Sequence, residues 1–518
     1  MNTSKQEWLT AVSVCMGGIM SSIDTFILYV ATPHLRGVFS ATVAEISGVS
    51  TSYAIASMLF MLLSAWFVQQ YGAKCVYQWG LALFVAGSLL CAAASNLDLL
   101  IGARVLQGMG AGLVIPVEGV ILRRTFPPER HGLVMGLYGT SIMCGPAFGP
   151  MLGGFILDEL GWPLIFLVNV PVGMVGLIMV RAFLADDRQE GAPGARRVDL
   201  AGIALLGCGI VSLVWLLERG NRTFWFEDDA NLLLLFAAAC AWALFLAHEL
   251  MATQPLLDLS VLANRAFSAA NLLNFLAAFI VTGTLFVLPI YMQEFLRFSP
   301  TQAGTTMAPR AFVMMMVFPA VGWLYNRVPT RLLITTGLLL GLSSGVMMSR
   351  FSADAGWHDM ILPQILQGVG AAFVLGPVAT AALMSIPRER MAGAAAIEST
   401  TRLLGSTIGI AVFASLLTHF EASTWEIVRH NISLSSPVLY KRFQGLQGFF
   451  ATFNGASALD KSFRLLNART MLQVSSLAYK NLFQLIAAGF LAMIAISLLI
   501  DMRPARPHPS NPSHANKE

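Results

Sequence analysis

Residues 106–130 read LQGMGAGLVIPVEGVILRRTFPPER, and residues 366–390 read LQGVGAAFVLGPVATAALMSIPRER. The two stretches align without a gap at an offset of 260 positions, so that Gln107 matches Gln367 and Glu129 matches Glu389. Each is an apolar run that begins with Gln-Gly, contains small residues and ends in a basic cluster that includes proline. A repeat of this kind predicts two related halves within one chain.

The composition around the repeat is typical of an integral membrane protein. Apolar residues make up 56% of the chain, charged residues only 12%, and the mean hydropathy is +0.69. A soluble domain has about 25% charged residues. Apolar runs of roughly 20 residues, each long enough to cross about 30 Å of hydrocarbon, recur along the sequence. The chain is therefore expected to be an all-α integral membrane protein.

These runs predict about fourteen spanning helices. We place them at residues 11–31, 48–68, 76–95, 99–122, 133–157, 163–184, 199–217, 231–250, 267–292, 302–325, 331–349, 360–385, 393–419 and 478–500. The first run could instead be a cleaved signal peptide, but Ala31-Thr32-Pro33 is a poor cleavage site and the run is long. We interpret it as a retained helix.

Basic residues set the predicted orientation. Alternate loops are richer in arginine and lysine than the loops between them, and this asymmetry predicts that both termini are cytoplasmic. The basic residues of the predicted inner loops are Lys74, Arg123, Arg124, Arg130, Arg188, Arg196, Arg197, Arg265, Arg327, Arg331, Arg388, Arg390, Arg503 and Arg506. Since the basic residues lie at helix ends, the net charge of +4 does not indicate nucleic-acid binding.

With this orientation both copies of the repeat run from outside to inside, which predicts two parallel six-helix bundles. We divide the chain into an N-terminal half at 1–184, a linker with an inserted helix pair at 185–260, and a C-terminal half at 261–518. A long outer loop is expected at 420–477 before the last helix. Its aromatic residues could form amphipathic helices on the membrane surface or a docking site for a partner.

Charged side chains inside the spans are candidates for function, since each costs about 2.5–3.5 kcal/mol to insert. Asp24 and Arg104 both lie in the outer half of their spans and could form an ion pair. Such a pair could keep the carboxylate ionised until a proton or a substrate competes, or it could only fix helix packing.

Other polar residues are candidates for a substrate cavity. Glu118 could line it or extend toward the cytoplasm. Glu398 and Arg402 lie four apart on one helix and could neutralise each other. Arg310 could be a cavity residue or part of an ion pair. Methionines, phenylalanines and a few acids would suit lipophilic cations, although fatty or phenolic acids also remain open. The full candidate set is Glu118, Arg310, Glu398, Arg402, Gln107, Gln364 and Gln367.

Glycines dominate residues 139–154, GTSIMCGPAFGPMLGG. Gly145, Gly149 and Gly153 recur every four residues and are expected to form a smooth face for close helix contact. The sequence contains no P-loop, nucleophile elbow or HExxH motif, and its six cysteines have no metal-ligand spacing. An enzyme, a disulfide scaffold and a metal site are therefore not expected.

Several motifs together resemble the 14-helix drug:proton antiporters of the major facilitator superfamily, in particular the EmrB/QacA group. The matching phrases are DTFILYVATP at 24–33, RVLQG at 104–108, the glycines and proline at Gly145, Pro146, Gly149, Gly153 and Gly154, IFLVNVPVG at 165–173, VDLAG at 198–202, PLLD at 255–258 and LPQ at 362–364. The loop WFVQQYGAKCVYQWG at 66–80 departs from the family pattern, because Lys74 is its only charged residue.

The resemblance implies efflux of amphipathic toxic compounds across the inner membrane, driven by the proton gradient and without another cofactor. Asp24 would be the proton-linked carboxylate, with Arg104 as its neighbour. The EmrB branch further implies a periplasmic adaptor of the EmrA type and an outer-membrane channel of the TolC type. A dedicated metabolite exporter or an uptake symporter on the same fold is the alternative.

Overall fold

The computed structural model describes residues 3–127, 130–184, 199–220, 225–252, 259–325, 327–352, 354–387, 390–431, 437–451 and 458–499. Residues 185–198 of the predicted linker and helix pair at 185–260, and Glu129 and Glu389 of the repeat, lie outside these ranges.

All regular structure in the described ranges is helical. The α-helices are α1 (Thr3–Val38), α2 (Val43–Tyr71), α3 (Ala73–Ala92), α4 (Leu97–Thr125), α5 (His131–Glu159), α6 (Leu164–Leu167), α7 (Asn169–Phe183), α8 (Leu200–Arg219), α9 (Asp229–Met251), α10 (Arg265–Ile290), α11 (Pro300–Tyr325), α12 (Thr330–Met348), α13 (Trp357–Met384), α14 (Met391–Asn431), α15 (Pro437–Ala451) and α16 (Ala458–Leu499).

The predicted fold class is confirmed. Thirteen helical segments within the described ranges are long and apolar enough to span a membrane. Helix α5 has 29 residues and packs against α1 and α11, so we count it as the fourteenth. The predicted sixth span is interrupted, because α6 and α7 are separated at Val168. Pro116 and Pro377 lie inside the continuous helices α4 and α13.

Helix packing in the second half repeats that in the first. Helix α4 packs against α2 and α3, as α13 packs against α11 and α12. Helix α1 contacts α5 and α7, as α10 contacts α14 and α16. The inserted helices α8 and α9 pack on each other, and α8 also contacts α2 and α14, one from each half.

The segment at 420–477 differs from the prediction. Helix α14 continues to Asn431 and α16 already begins at Ala458, so the predicted helix ends at 419 and 478 are wrong. Their 41 and 42 residues correspond to about 60 Å each, roughly twice the hydrocarbon thickness. No glycine or proline interrupts residues 410–431 or 458–488. The helices therefore continue where the hydropathy falls.

These projecting helix ends and α15 form one packed unit, here called the outer extension (residues 420–431, 437–451 and 458–477). The ring of Phe443 on α15 lies 4.6 Å from that of Phe463 on α16. Ser475 on α16 donates a hydrogen bond to Glu421 on α14. We call the end of the bundle that carries this extension and the α1–α2 connection the outer end, following the predicted orientation, and the opposite end the inner end.

Candidate functional site

Asp24 and Arg104 form a buried ion pair, as their depths predicted. Arg104 Nη1 lies 2.6 Å from Asp24 Oδ2, and each side chain is 1% exposed. The guanidinium also donates to the Val49 carbonyl and lies 4.1 Å from the centre of the Tyr53 ring. Helix α2 therefore holds the arginine on one side while α1 holds it on the other.

Neutral side chains complete the contacts of the carboxylate. Gln107 Nε2 donates to Asp24 Oδ1 at 2.8 Å, and Asn169 Nδ2 donates to the same oxygen at 2.7 Å. Gln107 also accepts from Arg104 Nη1 and donates to Ser88 on α3. The network thus joins α1, α3, α4 and α7 of the first half.

Asn169, Ser88 and Tyr53 belong to this network although they were not predicted as site residues. Asn169 stands inside IFLVNVPVG, directly after the interruption between α6 and α7. A single amide side chain within an apolar segment is the signal that could have identified Asn169, since a buried amide needs hydrogen-bond partners.

The second half has the same positions with different chemistry. Gly108 packs against the carbonyl of Tyr53, and Gly368, its match in the repeat, packs against the carbonyl of Arg310. Arg310 therefore occupies the place of Tyr53, and its Nη1 donates to Gln367 Oε1 at 2.9 Å. The repeat offset places Gln364 at the position of Arg104.

The position of Asp24 has a neutral match as well. Gly145 and Gly149 of α5 pack on Ser22 and Phe26 of α1, and Gly405 and Gly409 of α14 pack on Phe275 and Phe279 of α10. This register places Ala277 at the position of Asp24. The buried carboxylate–arginine pair consequently belongs to the first half alone, within the described residues.

A cavity of about 410 Å³ lies between the two halves. Helices α1, α2, α4 and α5 line one side, and α10, α11, α13 and α14 line the other. Arg104, Arg310 and Arg402 are on its wall, together with Phe26, Tyr29, Tyr53, Met143, Met307 and Met314.

The other predicted cavity residues are not on this wall. Gln107 and Gln367 lie behind it, bonded to Arg104 and Arg310, and Gln364 is buried in α13. Glu398 accepts a hydrogen bond from Asn274 and lies 3.8 Å from Arg402. The expected Glu398–Arg402 contact thus forms, with Arg402 facing the cavity.

Glu118 neither lines the cavity nor extends to the cytoplasm. Its side chain is 0% exposed and lies between α1 and α3, where Tyr77 is 3.3 Å away. Gly17 and Gly18 of α1 leave the space that the carboxyl group fills.

The glycine-rich helix α5 packs on two sides at once. Gly145 and Gly149 lie against α1 with no room for a side chain, and Gly153 lies in tight contact with Ile27 of the same helix. Gly154 faces the other way, against Pro300 and Thr301 of α11, and Gly304 of α11 lies against Pro150. The predicted smooth face is present, and the seam it makes with α11 joins the halves.

Polar contacts between the halves gather at the outer end. Arg36 of α1 pairs with Glu294, and Gln293 Nε2 donates to the Val30 carbonyl at 2.7 Å. The backbone N–H of Thr301 donates to Asp158 Oδ2 at 2.9 Å. These contacts close the outer end above the cavity.

Two related helix bundles around a central cavity, with a buried charge network in one bundle, define a multi-pass membrane transporter. The chain belongs to the Major Facilitator Superfamily, whose family model matches residues 14–410.

Named relatives cover nearly the whole chain. Multidrug export protein EmrB of Escherichia coli K12 is 28% identical over 87% of this chain and 88% of its own length. EmrB of Haemophilus influenzae is 26% identical over 94% of both chains. Fatty acid resistance protein FarB of Neisseria gonorrhoeae is 29% identical over 80% of this chain and 81% of its own length. The resemblance to the EmrB group is confirmed.

Solved structures agree on the fold. A bacterial homologue of the human lysosomal transporter Spinster, in an inward-facing and occupied conformation, has a TM-score of 0.63 at 14% identity and covers 94% of this chain and 95% of its own. A POT family transporter bound to a thioalcohol-conjugated peptide also has a TM-score of 0.63 at 14% identity, covering 95% and 94%.

Proposed function

We propose that this chain exports amphipathic toxic compounds across the cytoplasmic membrane in exchange for protons, with both termini in the cytoplasm. The observation that carries the proposal is the buried Asp24–Arg104 pair beside the cavity between the halves. The export proteins among its relatives support the direction of transport.

The network around Asp24 gives coupling a physical basis. Three donors, from Arg104, Gln107 and Asn169, stabilise the ionised carboxylate. Protonation of Asp24 removes the negative charge that pairs with Arg104. The guanidinium then lies at the cavity wall without its counter-ion. Proton binding and the packing of α1 against α4 thereby affect each other, which is the requirement for coupling.

Transport into everted membrane vesicles tests this proposal. With the lumen acidified, wild-type vesicles should accumulate ethidium or 8-anilinonaphthalene-1-sulfonate, and a protonophore should abolish the uptake. Asp24→Asn should remove it while the protein still reaches the membrane. Asp98→Asn, which changes an exposed aspartate at the start of α4, is the matched control. Proton-driven uptake that persists in Asp24→Asn would refute the coupling role.

The cavity wall further favours negatively charged amphiphiles. Three arginines are on it, of which Arg104 is paired with Asp24 and Arg402 lies 3.8 Å from Glu398, whereas the carboxyl groups of Glu118 and Glu398 lie behind it. Arg310 has no carboxylate within ion-pair distance in the described ranges, and its hydrogen bond goes to a neutral amide. An anionic head group would supply the missing charge, with the apolar side chains around the rest of the molecule.

Charge-altering variants of Arg310 test the substrate class. Arg310→Gln should lower transport of the permanently anionic 8-anilinonaphthalene-1-sulfonate about tenfold, as expected for loss of a charged hydrogen bond of about 1.5 kcal/mol. Ethidium transport should not fall, and Arg310→Lys should retain part of the anion transport. An equal loss for both probes in Arg310→Gln would refute the preference.

A dedicated metabolite transporter is the second candidate. Riboflavin transporter RibZ of Clostridioides difficile is 27% identical over 79% of this chain and 88% of its own length. Growth inhibition by a panel of toxic compounds, compared between cells with and without this protein, separates the two candidates. A dedicated metabolite transporter should protect the cells against none of these compounds.

We also propose that the outer extension meets a periplasmic adaptor of the EmrA type, which would lead to an outer-membrane channel of the TolC type. Ile427 and Phe449, at 64% and 59% exposed, provide apolar contact area on the extension. A purified EmrA-type adaptor should bind wild type, and Ile427→Glu or Phe449→Glu should weaken that binding. Equal binding by all three proteins would refute the site.

A further inference from the structure

Glu118 occupies a closed site formed by three helices, at a distance from the Asp24 network. It lies fourteen residues after Arg104 on α4, about 21 Å further toward the inner end. Ideal Cβ atoms on Gly17 and Gly18 of α1 would lie 2.8 Å and 2.7 Å from its two carboxyl oxygens. A side chain at either position would therefore displace this carboxyl group from its place.

Hydrogen-bond distances indicate which group is the donor in the contact between Tyr77 and Glu118. Tyr77 Oη lies 2.6 Å from the Val14 carbonyl oxygen and 3.3 Å from Glu118 Oε1. A carbonyl can only accept, so the single hydroxyl proton of Tyr77 is committed to Val14. The contact between Tyr77 and Glu118 is then a hydrogen bond only if Glu118 is the donor.

No charge compensates an ionised Glu118 in the described residues. Oε2 has no hydrogen-bond partner, and no lysine or arginine lies within ion-pair distance. The titratable groups nearest to it are neutral ones, namely Tyr77 of α3, Cys15 of α1 and Tyr138 of α5. Helix α2 has no acidic, basic, histidine or cysteine side chain after Glu45. An isolated buried carboxylate is too costly, so the group is neutral here.

The site borders the central cavity. Gly18 of α1 and Ile115 of α4 are both on the cavity wall. Since Gly18 has no side chain, separation of α1 from α4 would open the carboxyl group to water in the cavity. A hydrated carboxyl group loses its proton readily at neutral pH.

We propose that Glu118 is a second proton-binding group of the transport cycle, protonated while it is closed against Tyr77 and deprotonated when α1 and α4 separate. This rests on the proton coupling proposed above. Asp24 is charged and paired in the same conformation, so the two carboxyl groups would bind protons in different conformations.

Infrared spectroscopy of the full chain in lipid nanodiscs tests the protonation without any transport. Wild type at neutral pH should show the C=O stretch of a protonated carboxyl group, and Glu118→Gln should lack it. Tyr77→Phe should shift the band to higher frequency because the acceptor is lost. Tyr138→Phe, whose hydroxyl donates to Ile115 instead, should leave the band in place. A band that is the same in Glu118→Gln as in wild type, or is missing in wild type, refutes the inference.

Transport in proteoliposomes tests the role of Glu118 in coupling. The proton gradient at which the net flux of 8-anilinonaphthalene-1-sulfonate stops gives the number of protons exchanged per probe molecule. Fewer protons per probe molecule in Glu118→Gln than in wild type supports the inference. An unchanged stoichiometry overturns it and leaves Asp24 as the sole coupling group. If wild type itself shows no proton-linked flux, the proposed function is wrong, and so is the proposed role of Glu118 in coupling. Should Glu118→Gln fail to assemble, Tyr77→Phe is expected to change the pH dependence of flux, and a wild-type profile would overturn the inference.

Discussion

At the residue scale, one ion pair and its neutral partners distinguish the two halves. Asp24 and Arg104 are both charged and fully buried. Two amide donors complete the contacts of Asp24, and a carbonyl and an aromatic ring those of Arg104. The second half has Ala277 and Gln364 at the matching positions. Because a buried charge is tolerated only with its partner, the pair is expected to respond strongly to the loss of either member.

A double-mutant cycle measures this dependence. Arg104→Gln leaves Asp24 without a cation and should lower the free energy of unfolding by about 3–5 kcal/mol. Adding Asp24→Asn removes the remaining charge and should restore most of the stability. Denaturant unfolding in lipid micelles is the measurement, with Arg124→Gln at the exposed end of α4 as control. A double variant no more stable than Arg104→Gln would contradict the interpretation that the unpaired Asp24 carboxylate causes the loss of stability.

Some features of the site could be predicted from the sequence, and others could not. The pairing of Asp24 with Arg104 could be predicted from their depth in the spans alone. The direction of a side chain around its helix could not, so Glu118 and Glu398 were expected on the cavity wall, where Arg310 and Arg402 are the only predicted cavity residues. Asn169 was missed because no charge marked it.

At the element scale, α5 packs closely against a helix of each half. Its glycines allow backbone contact with α1 on one face and with α11 on the other. Such a smooth seam permits sliding as well as close packing, which suits a helix between two moving bundles.

Alanine at Gly145 should disturb this helix. Its Cβ would lie 2.5 Å from the Ser22 carbonyl carbon, so α1 and α5 must separate, at an expected cost of about 1–3 kcal/mol. Gly139→Ala is the control on the same helix, since a Cβ there meets nothing within 4 Å. Thermal unfolding and efflux should both fall in the first variant and not in the second. Equal behaviour of the two variants would argue against a packing requirement at Gly145.

The outer extension is stabilised by apolar contact between α15 and α16. Phe443 is 6% exposed, so Phe443→Ala should destabilise α15 by about 3–5 kcal/mol. Amide hydrogen exchange of α15 should accelerate accordingly, whereas Phe449→Ala, at a ring that is 59% exposed, should change it little. Similar exchange rates in both variants would mean that this contact does not hold the helix.

At the scale of the whole molecule, the halves meet at the outer end and enclose the cavity below it. The Arg36–Glu294 pair, the Gln293–Val30 bond and the Gly154–Pro300 contact all join one half to the other there. Transport requires these contacts to break and re-form as the halves move.

Charge reversal tests this closure. Arg36→Glu places two acidic groups together and should favour opening of the outer end, while the swap Arg36→Glu with Glu294→Arg should restore closure. The readout is labelling of Tyr29→Cys by an impermeant maleimide from the outer side, in a chain without its six native cysteines. Labelling should rise in the single variant and return to the reference level in the swap. Unchanged labelling in Arg36→Glu would show that the pair does not contribute to closure.

The amino-acid sequence was enough to predict that the chain crosses the membrane many times, that its halves are related and that Asp24 and Arg104 lie at one depth. Those properties follow from hydropathy, repeat spacing and helical rise, which are local quantities. The side chains that face the cavity became known from the three-dimensional structure, because rotation about a helix axis is set by packing between helices. The same holds for the continuation of α14 and α16 as the outer extension and for the enclosure of Glu118 by Gly17, Gly18 and Tyr77, since both depend on contacts between distant parts of the chain.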